Sequence, residues 1–183
     1  ELVYSVSGTM PVGQATEHGA FTLSSVETVT VTNDSTEDVI FDMSGSTGVK
    51  TLKADNSTNG MTFNYVQSLN DDDTNEIEIN NLTNVYADAS IYYAAAAVAG
   101  LTDTANIKVS SSSMGDLIVG QISNTGVQAA SGIETIAIDT TGQATTITTL
   151  DSDITTLEVT GDQDLTITNA LNNTLTDIAA GEF

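Results

Sequence analysis

Three stretches near the C-terminus decide the fold: Ile133-Glu-Thr-Ile136-Ala-Ile138, Ile154-Thr-Thr-Leu157-Glu-Val159 and Leu175-Thr-Asp-Ile178-Ala-Ala180. Each has apolar residues at its first, fourth and sixth positions, and successive copies begin 21 residues apart. Self-similarity at a period of about 20–50 residues is typical of proteins built from stacked repeats. The chain is therefore expected to be a repeat protein.

The same template recurs toward the N-terminus at wider spacing. Copies begin at residues 1, 26, 49, 74, 104, 133, 154 and 175. A second apolar run, in most cases alternating with polar residues, lies between copies at 21–23, 39–43, 61–66, 117–122, 145–150 and 165–171. Turn-forming Gly, Asn, Asp and Ser fill the gaps. We predict an all-β fold, a parallel β-solenoid (β-helix) of about seven to eight coils, with residues 1–183 as one segment of a longer chain.

Two regions depart from this pattern. The alanine-rich stretch from Ile91 to Ala99 favours a short helical insertion near residues 91–99, since alanine is the best helix former. The alternative is a strand of small residues at a tight place in the solenoid. Residues 8–19 contain the chain's single proline and single histidine and are expected to form a loop.

Stacking the copies aligns three charged residues on consecutive coils. Lys53, Glu78 and Lys108 all occupy the fifth position of the template, which is expected to face outward. Opposite charges on neighbouring strands stabilise a sheet by about 0.2–1 kcal/mol a pair. We call these three residues the charge ladder and predict that they lie above one another.

The charge balance excludes several partners. The chain has 25 acidic residues against three lysines and no arginine, a net charge of −22. Nucleic acid is excluded as a partner because phosphate binding needs clustered Lys or Arg. Membrane insertion is not expected, since the most apolar stretch is far shorter than a membrane span. The chain has no cysteine, so disulfides, thiolate zinc sites and cysteine nucleophiles are excluded.

Catalysis is not expected. His18 has no nucleophile near it in the sequence, so it is interpreted as a solvated loop histidine. A polysaccharide-degrading β-helix enzyme is the alternative, with Asp42, Asp139 and Glu158 as candidate carboxylates. No motif supports them, and the chain has no tryptophan on which a sugar could stack.

Acidic turns are the candidate metal sites. Asp71, Asp72 and Asp73 are consecutive, and two Asp-x-Asp pairs follow further along, at Asp151 and Asp153 and at Asp162 and Asp164. Calcium takes six to eight oxygen ligands, which such turns supply. We expect Ca²⁺ at one or more of these turns; ordinary solvated turn aspartates are the alternative.

The phrases Ile154-Thr-Thr-Leu-Glu-Val-Thr-Gly161 and Leu175-Thr-Asp-Ile-Ala-Ala-Gly181 resemble bacterial surface-layer (S-layer) proteins. The resemblance is to the acidic, cysteine-free β-strand-repeat type of Campylobacter- and Caulobacter-like bacteria. It implies type I secretion and a structural protein that self-assembles, with calcium, into a layer or filament on the bacterial cell surface. It implies copies of the chain, and cell-surface glycan or lipopolysaccharide, as partners. The calcium-binding nonapeptides of such proteins are missing here. An adhesin stalk or passenger β-helix is the alternative.

Overall fold

The protein is all β. The computed structural model describes residues 1–10, 15–67 and 76–181, which contain no helix and form sixteen strands. The strands are β1 Leu2–Gly8, β2 Thr16–Ala20, β3 Thr28–Ser35, β4 Val39–Asp42, β5 Thr51–Asp55, β6 Met61–Val66, β7 Glu76–Asn80, β8 Ala89–Ala94, β9 Thr104–Ser110, β10 Ser113–Ile122, β11 Gln128–Ala129, β12 Thr135–Thr141, β13 Thr145–Asp151, β14 Thr156–Gly161, β15 Leu165–Ile167 and β16 Asp177–Ala180.

The strands form two eight-stranded sheets. Sheet A has the order β1-β3-β5-β7-β9-β12-β14-β16, and sheet B has the order β15-β13-β10-β8-β6-β4-β2, with β11 added to β10. All pairs are parallel except the antiparallel pair β10–β11. The chain alternates between the sheets, so one sheet A strand and the following sheet B strand make one coil. Seven coils and one further strand are consistent with the predicted parallel β-solenoid of about seven to eight coils.

One shared core joins the two sheets. Along β9 and β12, side chains alternate between buried and half-buried, as expected of strands with one face inward. The inward residues are mostly valine, isoleucine and leucine, whose branched side chains pack well on a pleated surface. Buried residues of both sheets belong to a single hydrophobic cluster.

The predicted register is correct at five of the seven junctions in sheet A. Val29, Leu52, Ile77 and Ile107 follow one another as predicted, as do Ile136, Leu157 and Ile178. The other two junctions are shifted by two residues: Ile107 pairs with Ile138 instead of Ile136, and Val29 pairs with Leu2 instead of Tyr4. A shift of two residues leaves every side chain on its predicted face.

The turn that follows a sheet A strand repeats from coil to coil. Its first residue has a left-handed backbone in four successive coils, at Asn56 (φ 51°), Asn81 (50°), Ser111 (50°) and Gly142 (77°). Asparagine and glycine are the residues that tolerate this conformation best. The Asn81 amide donates to Oδ1 of Asn56 at 3.0 Å, and the buried Ser57 Oγ accepts from the N–H of Asn33 at 2.9 Å. Polar side chains therefore bond the turns of adjacent coils together.

The predicted helix near residues 91–99 is wrong. Ala89–Ala94 is strand β8, and only turns follow it over residues 95–98. Strand β8 lies between β6 and β10, and its Ile91 and Tyr93 are fully buried. Burial and pairing on both sides outweigh the helix preference of alanine, which is a weak effect for each residue.

The predicted loop over residues 8–19 is wrong at residues 16–19, which are in a strand, while residues 11–14 lie outside the described residues. The predicted second strand of the first coil at residues 21–23 is also wrong. The strand in this position is β2, Thr16–Ala20, which pairs with β4. It contains His18, whose ring stacks on Phe41 with the centroids 5.6 Å apart. A polar stretch can form an end strand because only one of its edges must pair within the protein.

Candidate functional site

The charge ladder lies on the outer side of sheet A as predicted. Lys53 pairs in register with Glu78, and Glu78 pairs with Lys108. The Lys53 ammonium lies 3.3 Å from Oε2 of Glu78, and both side chains are largely shielded from solvent. Asp139 continues the charge ladder because it pairs in register with Lys108. Alternating charges thus link four consecutive coils.

The third lysine also contacts a preceding coil. Lys50, just before β5, has its ammonium 3.3 Å from Oε1 of Glu27, just before β3. All three lysines therefore lie on or beside sheet A strands. The outer side of sheet B contains no lysine and is the more suitable of the two for binding cations.

The two Asp-x-Asp pairs do not stack. Asp151 and Asp153 lie at the connection from sheet B to sheet A, whereas Asp162 and Asp164 lie at the next connection, from sheet A to sheet B. Strand β14 separates them. All four side chains are exposed, and Oδ1 of Asp153 accepts a hydrogen bond from the Asn172 amide at 2.7 Å.

No described group of three or more acidic or histidine side chains is arranged to hold a metal ion. Asp151 lies close enough to Tyr92 to affect its phenol. Burial raises the pKa of Tyr92, and the negative charge of Asp151 raises it further. The remaining calcium candidates, Asp71, Asp72 and Asp73, lie outside the residues that the structure describes. Each described Asp-x-Asp pair would need carbonyls, water or a second protein molecule to complete a calcium site.

The structure brings together a different acidic group, which the sequence analysis missed. Asp38 and Asp88 directly precede strands β4 and β8 of sheet B, and Asp116 lies within β10 of the same sheet, so the three belong to different coils. Oδ1 of Asp38 accepts from the N–H of Gly60 at 2.9 Å, and Oδ1 of Asp88 accepts from the N–H of Asp116 at 2.8 Å. Each bond joins one coil to the next. The sequence signal that could have indicated this acidic group is an aspartate before the second apolar run of a coil.

This acidic group changes the titration of its central member. Partial burial raises the pKa of Asp88 above its usual value of 3.8. The N–H of Asp116 opposes this rise, whereas the negative charges of Asp116 and Asp38 add to it. The hydrogen bonds between coils therefore bring like charges closer together than is favourable.

The structure separates His18 and Asp42 from the other candidate catalytic residues. His18 is half-buried rather than solvated, and its Nδ1 lies 3.3 Å from the hydroxyl of Tyr4. Asp42 belongs to sheet B, whereas Asp139 and Glu158 lie on the adjacent strands β12 and β14 of sheet A, two register positions apart. Carboxylates that act as an acid–base pair must flank one bond of the substrate.

A groove of about 340 Å³ lies beside β4 and β6 on sheet B. Its polar lining includes Asp42 and Asn64, and both already have partners within the protein. Oδ1 of Asp42 accepts from the N–H of Ser44 at 2.7 Å, and Oδ1 of Asn64 accepts from the Gln128 amide at 2.9 Å. The first bond lies within one turn, and the second joins β6 to β11.

No protein-family model, curated protein or solved structure matches the chain. Within the residues that the structure describes, no helix is long and apolar enough to cross a membrane. The chain's own architecture and surface are therefore the basis for its function.

Proposed function

We propose that this chain is a structural segment of a bacterial cell-surface protein that self-assembles, with calcium, into a surface layer or filament outside the cell. The observation that carries the proposal is the pair of parallel eight-stranded sheets, which continue from end to end with one repeated coil. Such an architecture provides length and a regular surface. The resemblance of its repeats to S-layer proteins supports the same conclusion.

The strongly acidic surface supports the role of calcium. Copies carrying a net charge of −22 repel one another at neutral pH. Divalent cations reduce this repulsion and bridge carboxylates on different molecules. Exposed pairs such as Asp162 and Asp164 lack enough ligands for a closed site but suit a bridge between two copies.

Electron microscopy and sedimentation of the purified chain, with Ca²⁺ and then with a chelator, test the proposal. Ordered assemblies that pellet with Ca²⁺ and dissolve on chelation are the expected result. A particle that stays monomeric in both buffers at high protein concentration would overturn it. If such a monomer binds whole bacterial or host cells, the adhesin stalk becomes the better interpretation.

Calorimetric titration with Ca²⁺ tests the three acidic turns separately. The variants are Asp151→Asn with Asp153→Asn, Asp162→Asn with Asp164→Asn, and a triple Asn variant at Asp71, Asp72 and Asp73. At least one should weaken Ca²⁺ binding, whereas Asp34→Asn, which changes an exposed carboxylate outside these turns, should not. If all four variants bound Ca²⁺ as tightly as the parent chain, the assignment of Ca²⁺ to these turns would be wrong.

A further inference from the structure

The charge ladder and Asp139 form a row of alternating charge across the middle of sheet A. Lys53, Glu78, Lys108 and Asp139 pair in register on consecutive strands, so the row reads positive, negative, positive, negative from β5 to β12. Successive members lie about 4.8 Å apart, the spacing of paired strands. The charges of the row sum to zero in a protein of net charge −22. Two copies can therefore approach each other here without local repulsion.

A row with this order of charges is complementary to its own reverse. If two copies face each other through the outer sides of sheet A, about a two-fold axis parallel to the strands, their rows run in opposite directions. With that axis between β7 and β9, Lys53 of one copy meets Asp139 of the second, and Glu78 meets Lys108. A two-fold axis repeats each contact. The interface therefore contains four pairs of opposite charge.

The positions beside the row fit the same arrangement. Asp55 and Thr141 lie in one outward column, on strands that the axis brings together, so Asp55 meets a threonine. In the column on the other side of the row, Glu158 meets Thr28 in the same way. These two carboxylates thus lie opposite small, uncharged side chains and not opposite other carboxylates.

Other alignments of the two rows are less favourable. If one copy slides by one coil, Glu78 lies opposite Glu78 and Lys53 lies opposite Lys108. If it slides by two coils, two pairs of opposite charge remain instead of four. A two-fold axis along the solenoid would place every charge opposite its own copy. Because like charges in opposition disfavour wrong alignments, the order of the row selects the antiparallel arrangement and one register.

One positive charge of the row is not neutralised within the molecule. The Lys53 ammonium contacts Glu78 of its own chain at 3.3 Å. Among the residues that the structure describes, no carboxylate lies within ion-pair distance of the Lys108 ammonium. The charge of Lys108 is therefore available to a carboxylate of a second molecule.

The outer side of sheet A is large enough for a weak, specific contact. The six strands from β3 to β14 have a spacing of about 4.8 Å and a length of about 17 Å, which gives a face of roughly 500 Å² per copy. Two such faces bury about 1,000 Å², the lower limit for a specific protein interface. A contact of this size should be reversible and sensitive to salt.

We infer that two copies of the chain dock through the outer sides of sheet A, antiparallel, about a two-fold axis between β7 and β9. This inference rests on the self-assembly proposed above and adds a lateral contact that needs no Ca²⁺. The contact lies on interior strands, so further coils at either end of the solenoid do not affect it. Both outer surfaces of the dimer are then the outer sides of sheet B, where Ca²⁺ can join one dimer to the next.

Charge exchange within the row tests the docking by sedimentation velocity in chelator and low salt. Lys108→Glu and Glu78→Lys each place like charges opposite one another at two symmetric contacts, so each should raise the Kd of the dimer at least about tenfold. The double variant with both changes should restore the dimer, because opposite charges meet again. Within one molecule the double variant puts two positive charges side by side on β5 and β7, so a purely intramolecular role of the row predicts no restoration.

A matched control separates this contact from the effect of net charge. Asn124→Asp with Gln143→Glu adds two negative charges in exposed turns, the same change in net charge as Lys108→Glu, and should leave the dimer intact. Circular dichroism must show that every variant folds. If Lys108→Glu does not, Lys108→Gln replaces it and should still weaken the dimer.

Cross-linking tests the antiparallel arrangement directly, since the chain has no cysteine of its own. An equimolar mixture of Asp55→Cys and Thr141→Cys should form a covalent dimer with a short bis-maleimide, because the two positions face each other across sheets about 10 Å apart. Either variant alone should cross-link poorly, since its two thiols are offset by three strand spacings, about 14 Å. Equal cross-linking of the mixture and of each variant alone would overturn the arrangement.

The outcomes distinguish this inference from the proposed function. If the parent chain assembles with Ca²⁺ but Lys108→Glu assembles and dimerises equally well, the inference is wrong and the proposed function stands. If the parent dimerises in chelator but forms nothing larger with Ca²⁺, the inference stands and the proposed function is wrong. A parent chain that is monomeric in both buffers overturns both.

Discussion

Sheet A and sheet B share one core but differ in regularity. In sheet A the described pairings run through all eight strands without a register shift. In sheet B the register shifts within β2–β4 and within β6–β8, and a hairpin leads to the added strand β11. The sheet with the sharper sequence motif is the regular one. Sheet B contains the additional residues, which form the groove beside β4 and β6 and the hairpin that leads to β11.

The largest expected effect concerns the common core. Ile107→Ala in sheet A and Leu117→Ala in sheet B each remove a fully buried side chain, and each should lower the free energy of unfolding by about 2–5 kcal/mol. Urea denaturation followed by circular dichroism measures this. Ile118→Ala, whose side chain is only half-buried, is the control and should cost less. A much smaller loss for Leu117→Ala than for Ile107→Ala would show that sheet B unfolds independently.

The next effect concerns the hairpin of sheet B. A methyl group added at Gly120 would collide with the backbone of Ala129 and Ala130, so Gly120→Ala should displace β11 and cost about 1–3 kcal/mol. Hydrogen exchange should become faster over residues 121–129. Gly181→Ala, where the added atom meets only ordinary contact distances, is the control. Unchanged exchange in Gly120→Ala would contradict the packing of the hairpin against β10.

A third prediction concerns the core of sheet B at the β6–β8 irregularity. The hydroxyl of Tyr93 is buried and has no hydrogen-bond partner among the described residues, and burial raises the pKa of Tyr93 well above its usual value. Removing an unpaired buried hydroxyl should stabilise the protein, so Tyr93→Phe is expected to gain about 1 kcal/mol. Tyr86→Phe, at an exposed site, should change little. A loss in Tyr93→Phe would indicate a partner for the hydroxyl, such as a bound water.

The charge ladder on sheet A gives a smaller effect. A double-mutant cycle with Lys53→Met and Glu78→Gln should yield a coupling of about 0.2–1 kcal/mol that weakens as salt is added. The same cycle on the more exposed pair of Lys50 and Glu27 should yield less. Thermal unfolding at low and high ionic strength measures both. Equal coupling in the two cycles would show that the register of sheet A adds nothing to the ion pair.

The smallest effect is pH-dependent and belongs to sheet B. Because the folded state raises the pKa of Asp88, the stability it contributes is present below pH 3.8 and is lost as pH rises through the folded-state pKa. Asp88→Asn should therefore stabilise the protein at neutral pH, by less than about 1 kcal/mol because the site is largely solvated. The difference in stability between Asp88→Asn and the parent chain should vanish on acidification. A gain in stability that persists unchanged to low pH would have a cause other than the charge of Asp88. Asp34→Asn, at an exposed site, is the control.

The sequence was sufficient for the fold class and for most of sheet A. Leu52, Ile77 and Ile107 stand at one template position on strands that need no bulge, so spacing alone aligns them. The coil from residue 133 was misaligned because Ile136 and Ile138 both face inward and satisfy the same pattern. Choosing between them depends on the length of the turn before β12, which apolar spacing does not encode.

The candidate site was predictable only where it depends on neighbouring strands of sheet A. The charge ladder followed directly from the motif. The acidic group did not, because the bond from Asp116 to Asp88 spans 28 residues and depends on how two irregular coils of sheet B align. The environment of His18 was missed for a similar reason, since its ring packs against Phe41 of the next coil.

The parallel pairing of strands between successive coils has a mechanical consequence. A load along the solenoid axis pulls at right angles to the strands, so the bonds of one junction can open one after another and coils can separate in sequence. A load along a strand must shear all the bonds of that junction together. Because each coil contacts mainly its two neighbours, peeling one coil leaves the rest folded and ready to re-form the junction. Such a rod would lengthen stepwise under tension and recover when the tension is released.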